Sequence, residues 1–400
     1  MRAEIDQLYS CTCKRCSTLK AELKANISDV ESIFKEIDNL ENSSKSKAEK
    51  RDKISTKLFA HTIQHLQDSL DGTFHIPFGE KNYSLYRSYV KNLTDFSAFK
   101  TAYFTELLKK EDNRDALIAT YERQLATEGN LVTRSARSAK QWLDYESTKD
   151  LFPNLEYRPS RSADKREEHK ALYGIIKPID DEFWHTYYPP NGWGCKCRTR
   201  KTDEPITEGA TPKVTVPNGI PGNIVKQRAI FTNSHPLIAK GSNIGKKRIQ
   251  KRLEELKRYV PYSSKPDYEG KAGGKVYVHP YFQRKDVKDN FEVAKLLTDN
   301  FDMEIKIREH VNGYTGIGKY KNSNPEYLIN GKYGDLKDVN KENISNGYDS
   351  AVHQGCEVVV YRILSNLTIG RAIDQLKGIK KKRKTFLKCY IIKGNEIVRV

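Results

Sequence analysis

The stretch Asn324–Lys337, Asn-Pro-Glu-Tyr-Leu-Ile-Asn-Gly-Lys-Tyr-Gly-Asp-Leu-Lys, sets the tightest local constraint on this chain. Asn330-Gly331 between two short apolar runs is the strongest short hairpin signal, because both turn positions take a positive φ that Asn and Gly tolerate. Asp335 and Lys337 are two apart, so they share one face of a strand. The turn can bring Glu326 beside them. Two carboxylates and an ammonium at one place suit metal-assisted phosphodiester cleavage. The acids hold a hard divalent cation through oxygen, and the lysine offsets charge building on the phosphate. The same residues also fit an exposed hairpin with scattered charges, and spacing alone does not separate the two.

A 400-residue chain predicts two or three domains. With 37% hydrophobic residues and 23 Tyr, it has enough apolar material for real cores. No apolar run of 18 residues and no secretory signal occur, so a soluble protein without a membrane partner is expected. The formal charge is +18, and most of the excess falls after residue 200, which points to a polyanionic partner. A well-solvated basic surface has the same composition. Five of the seven Cys are clustered, as Cys11/Cys13/Cys16 and Cys195/Cys197. Clustered Cys in a soluble intracellular chain reads as metal binding or reactive thiols before disulfides. Cys11, Cys13 and Cys16 can supply most of a tetrahedral zinc site, or stand as free thiols.

Apolar spacing predicts helices through residues 18–70, broken at 43–47. Further helices are expected around Phe96–Leu108, Leu117–Leu125 and Leu131–Tyr145. Leu155-Glu156-Tyr157-Arg158 reads as a strand. Residues 201–274, punctuated by Pro and Gly with a basic helix at Lys246–Tyr259, read as a linker. Residues 275–400 read as a compact α/β domain, with the element order helix, strand, strand, strand, helix, strand. The expected fold class is therefore multidomain: a mainly α domain over 1–200, a linker over 201–274, and an α/β (α+β) domain over 275–400.

Residues Arg166-x-x-His169-x-x-Leu172-x-Gly174, an acidic stretch with Phe183-Trp184, then Pro189-Pro190-Asn191-Gly192-Trp193-x-Cys195-x-Cys197-Arg198 form a long motif. It resembles the signature of the phage Mu F-like head morphogenesis family. Phe96-Ser97-x-x-Lys100 and Phe231-x-x-x-His235-Pro236 add further landmarks. The resemblance implies a minor head protein near the portal, with portal and capsid partners and a place in the virion. His169, Cys195 and Cys197 are candidate Zn²⁺ ligands, with a fourth position for Asp164, His185 or water. A rigid Pro/Gly/Trp loop with buried thiols is the alternative.

The element order of the last 126 residues resembles the core of the PD-(D/E)XK nucleases, and Pro325-Glu326 with Asp335-Leu336-Lys337 falls where their signature falls. Val276-Tyr277-Val278-His279-Pro280, the Asn324–Gly331 run and the closing strands also resemble the C-terminal tRNA nuclease domain of CdiA-type toxins. The resemblance implies a catalytic set of Glu326, Asp335 and Lys337. His353 and Gln354, on the helix after Lys337, are secondary candidates that also fit a helix cap. The resemblance also implies Mg²⁺ on the two acids, an RNA substrate such as tRNA in the host cytoplasm, and an immunity protein. Glu326 and Asp335 depart from the family's usual Asp and Glu, which changes metal distance. A second architecture, the metal-free BECR fold, would instead use Lys337, His353 and His310. Glu292 is a further candidate ligand and also fits an exposed helix glutamate. Lys380-Lys381-Lys382-Arg383-Lys384 suits RNA phosphates or a solvated basic loop. The competing readings are a DNA nuclease acting in packaging, and a portal-associated structural protein whose C-terminal domain binds nucleic acid without cutting it.

Overall fold

The computed structural model describes residues 35, 39, 46–108, 114–160, 166–243, 245–282, 286–310, 323–383 and 387–400. Cys11, Cys13, Cys16 and Asp164 lie outside these residues. The chain divides into two compact units: residues 1–75 with 82–261, and Ile76–Lys81 with Tyr262–Val400.

The first unit is helical. Helix α1 (Lys47–Asp71) starts at Ser46 in a capping box, in which the Ser46 hydroxyl and the Glu49 side chain each accept from the other residue's backbone N–H. Its Leu58, Phe59, Ile63, Leu66 and Leu70 are buried. Helix α2 (Tyr83–Leu107) packs on it. The two helices expected around Leu117–Leu125 and Leu131–Tyr145 are one, α3 (Arg114–Ser147). Gly129 does not break α3. It sits against His65, and a Cβ there would lie 2.5 Å from the His65 Nε2, so the glycine permits close approach to α1.

A three-stranded antiparallel sheet follows, ordered β2-β1-β3: β1 (Asn154–Arg158), β2 (Ile176–Pro178) and β3 (Arg198–Thr202). Its core joins Trp142 and Tyr145 of α3 to Leu155, Tyr157, Leu172, Phe183, Trp184 and Tyr188. The stretch expected as a linker is folded into this unit up to residue 261. Its Ile220, Ile224, Ile230, Phe231 and Leu237 are buried, so Pro and Gly here bend a packed segment instead of marking a spacer. Phe231 stacks on Phe96 at 4.0 Å between ring centroids, and His235 meets Phe96, Phe231 and Trp193 edge-on.

The second unit is a mixed eight-stranded sheet whose strands lie side by side in chain order. They are β4 (Tyr268–Glu269), β5 (Lys275–Val278), β6 (Glu304–Ile307), β7 (Tyr327–Ile329), β8 (Lys332–Val339), β9 (Val358–Ile363), β10 (Lys388–Lys393) and β11 (Glu396–Arg399). The pairs β5/β6, β8/β9 and β9/β10 are parallel and the others antiparallel. Each parallel pair is joined through a helix, as parallel pairing requires: α4 (Val287–Asn300), α5 (Ser345–His353) and α6 (Ile369–Arg383). The run α4-β6-β7-β8-α5-β9 is the expected helix-strand-strand-strand-helix-strand order.

Alternation along the strands makes two cores. Helix α4 covers one face through Phe291, Ala294 and Leu297 against Val276, Ile305, Tyr327 and Val360. Helices α5 and α6 cover the other through Tyr348, Ala351, Ala372 and Leu376 against Val359, Tyr361 and Ile391. The segment Ile76–Lys81 belongs to this unit. Phe78 meets Phe282 and Phe291 edge-on at 5.4 and 4.9 Å, and its N–H donates to the Asp267 Oδ1 at 2.7 Å. The Asp267 Oδ2 accepts from Val278 N–H at 2.7 Å.

Candidate active site

The hairpin turns at Asn330 (φ 48°) and Gly331 (φ 77°), as a two-residue turn of this type requires. Its register pairs Ile329 with Lys332 and Tyr327 with Gly334, so the next pair sets Glu326 opposite Asp335. Pro325 then ends the ladder because it has no N–H to give. The Leu336 N–H donates to the Glu326 Oε2 instead, at 3.1 Å. The Pro325 carbonyl accepts from the Arg308 Nη1 at 2.6 Å. With the Pro325 carbonyl taken by Arg308, the Leu336 N–H is left to the Glu326 carboxylate.

Asp335 is buried and Lys337 half-buried, both on the face that carries α5 and α6. The Lys337 Nζ lies 2.5 Å from the Asp335 Oδ2, and the Gln354 Nε2 donates to the same oxygen at 2.8 Å. Gln354 is the C-cap of α5. The helix comes close because residue 347 is glycine: a Cβ there would meet Tyr361 at 3.1 Å and Lys337 at 3.4 Å.

Glu326, Asp335 and Lys337 therefore come together, and Gln354 joins them. His353 is exposed at the last residue of α5, one position from Gln354, and His310 is exposed beyond β6. Glu292 is exposed, pairs with Lys295 at 3.0 Å, and lies on the helix covering the opposite face. The basic run continues α6 as far as Arg383, where cations complement the helix dipole. The Lys380 Nζ donates to the Val400 carbonyl at 3.2 Å and Arg383 pairs with Asp349 at 2.6 Å. Sequence reasoning missed Arg308, which reaches the site from β6 outside the motif. The donor set of Glu326 and Asp335 is hard oxygen on adjoining strands, which fits a Mg²⁺-type cation.

A second cluster lies in the first unit. The His169 Nδ1 is 3.7 Å from the Cys195 Sγ and 3.5 Å from the Cys197 Sγ. A tetrahedral site with Zn–S and Zn–N bonds of about 2.3 and 2.0–2.1 Å has an S···N edge of about 3.6 Å, so these groups fit zinc. The loop is held from outside. Arg134 donates to the carbonyls of Gly194 and Cys195 at 2.9 and 2.6 Å, and Arg166 donates to that of Trp193. Asn191 donates to the Tyr157 hydroxyl at 3.0 Å. A hydrogen bond from Cys195 lowers the Cys197 thiol, with His169 and Tyr157 adding to it against the opposing effect of burial. Cys195 is raised correspondingly. His185 is exposed on the Phe183–Tyr187 turn and is not among the converging groups.

Residues 96–200, which contain this cluster, match the family model described as Phage Mu protein F like protein. Residues 323–398, which contain the acid pair, match the contact-dependent growth inhibition CdiA C-terminal domain. The putative capsid assembly protein F of Escherichia phage Mu is 37% identical over 94 residues, 24% of this chain and 21% of that protein. The Mu-like prophage FluMu F protein of Haemophilus influenzae is 29% identical over 110 residues, 28% of this chain and 27% of that protein. The chain thus spans between a fifth and just over a quarter of the length of these relatives. No solved structure matches it. Among the described residues no helix is long and apolar enough to cross a membrane.

Proposed function

We propose that the chain is a phage head-morphogenesis protein that carries a C-terminal RNA-cleaving effector, with tRNA as a substrate. The observation that carries this reading is the convergence of Glu326, Asp335, Lys337 and Gln354 on one sheet face, inside the segment similar to a toxin domain. The Lys337 ammonium turns toward a phosphoryl oxygen and offsets the charge that grows there. Gln354 fixes the orientation of Asp335, and the Leu336 N–H fixes Glu326. A divalent cation held by Glu326 and Asp335 would polarise the phosphate and lower the pKa of bound water.

The similarity of residues 96–200 to capsid assembly proteins supports portal or capsid partners and a place in the virion, from which the effector enters the host cytoplasm. An immunity protein would then protect its producer. The zinc-type cluster is read as a structural centre that locks the Pro189–Cys197 loop. The test is to incubate the full chain with total tRNA, duplex DNA and single-stranded DNA, with Mg²⁺ or with EDTA. Magnesium-dependent cleavage of tRNA is expected. Cleavage that survives EDTA overturns the metal mechanism in favour of the metal-free use of Lys337, His353 and His310. Cleavage of duplex DNA in preference to tRNA moves the reading to packaging, and cleavage of none of them leaves a structural role.

A further inference from the structure

The acid pair belongs to a longer row across the sheet. The register that sets Glu326 opposite Asp335 also sets Arg308 opposite Glu326, with the Arg308 N–H donating to the Glu326 carbonyl at 2.9 Å. It sets His279 beside Arg308, with the His279 N–H on the Ile307 carbonyl at 3.0 Å. One step back along the strands a second row reads Tyr277, Lys306, Leu328, Tyr333. All four are half-buried and on the same face as the acids.

Arg308 is the unusual member. It is only 8% exposed, yet the carbonyl of Pro325 is the one hydrogen-bond acceptor its guanidinium reaches among the described residues, and no described carboxylate lies within ion-pair distance. Its plane lies over the Tyr333 ring at 5.0 Å. A buried guanidinium without a counter-charge is costly, and its fork of five donors matches a phosphate. Lys306 follows two residues away on the same strand, about 6.6 Å from it along the chain, a separation comparable to that of successive phosphates in a nucleic-acid strand. Its Nζ lies 5.7 Å from the Tyr277 ring centroid and 5.8 Å from that of Tyr262, so the cation is flanked by aromatic rings on which bases stack.

We propose that Arg308 and Lys306, with Tyr277 and Tyr333, form a binding track for a single nucleic-acid strand that leads its phosphates along β6 to the acid pair. This rests on the cleavage reading above and adds the residues that hold the substrate next to the cut. Lys306 pairs with the half-exposed Glu304 two residues back at 2.8 Å, as Arg383 of α6 pairs with Asp349, so Arg308 is the cation of the track that has no carboxylate partner among the described residues.

The test is binding of a fluorescein-labelled single-stranded RNA of roughly 12 nucleotides to the full chain carrying Asp335→Asn, read by anisotropy over a salt series. Arg308→Gln and Lys306→Gln are added to that background. Each is expected to weaken binding about tenfold and to reduce the log–log salt slope by about 1. Lys306 is half-exposed, so its substitution leaves the fold intact, and thermal melting checks both. Unchanged affinity and slope in the Lys306→Gln chain, or in a folded Arg308→Gln chain, overturn the track. So does an Asp335→Asn chain that binds no RNA at any salt. Cleavage by the parent chain is scored separately: a track that binds while the parent never cuts RNA refutes the cleavage reading alone.

Discussion

At the scale of single residues, one oxygen of Asp335 is held by two donors, Lys337 and Gln354. Gln354→Ala should therefore leave the chain folded but lower cleavage about tenfold by loosening Asp335, and rate measurement against an unchanged melting curve checks this. His169 makes the corresponding prediction in the first unit. The purified chain should carry about one zinc, and His169→Ala or Cys197→Ser should remove it and lower the melting temperature of that unit. Elemental analysis decides it, since each of the two variants lacks one of three ligands. Much of the acid site was legible because Asn330-Gly331 fixes register, and register fixes which side chains face each other. Arg308 was not legible, since nothing in its own neighbourhood in the sequence marks it. It reaches the site only because β6 pairs with β7, and a short strand does not announce its partner.

At the scale of elements, the strands and helices after residue 275 were readable from alternation and turn signals. The α6 run was not: a run of consecutive cations looks like a loop, yet Lys380–Arg383 form the last turn of a helix, where they meet the negative end of the dipole. The helices expected around Leu117–Leu125 and Leu131–Tyr145 are one, and Gly129 between them lies where a Cβ would meet His65, so it serves a close approach. Least legible was the contribution of Ile76–Lys81 to the second unit, nearly two hundred residues away in sequence. Phe78 supplies two aromatic contacts and a backbone anchor to Asp267. Phe78→Ala should destabilise that unit by about 2 kcal/mol, less than a fully buried phenylalanine. The measurement is denaturant unfolding followed through RNA cleavage, and residues 275–400 expressed alone should be less stable than the same residues in the full chain.

At the scale of the whole molecule, acid should weaken the helical unit. Burial, with His61 and Lys100 adding to it, holds His65 down to about 4, and burial with Lys100 holds His235 down to about 3, against 6.5 for a free histidine. The unfolded chain protonates both below pH 6.5 while the folded one does not, so their stability is full above 6.5 and is lost as pH falls toward 4. Asp95, raised to about 6, and Asp68, also raised, both chiefly by burial, work the other way at acid pH and offset part of that loss. Melting temperature should drop from pH 7 to pH 4.5, and drop less in His65→Gln. The central claim, that the second unit cuts RNA with Glu326, Asp335 and Lys337, is tested most directly by tRNA cleavage with the full chain and its Lys337→Met variant in Mg²⁺. A loss of at least about a hundredfold with an unchanged melting curve is predicted, since Lys337 is the one cation paired with Asp335 among the described residues. Cleavage by the variant at the parent's rate would contradict the account.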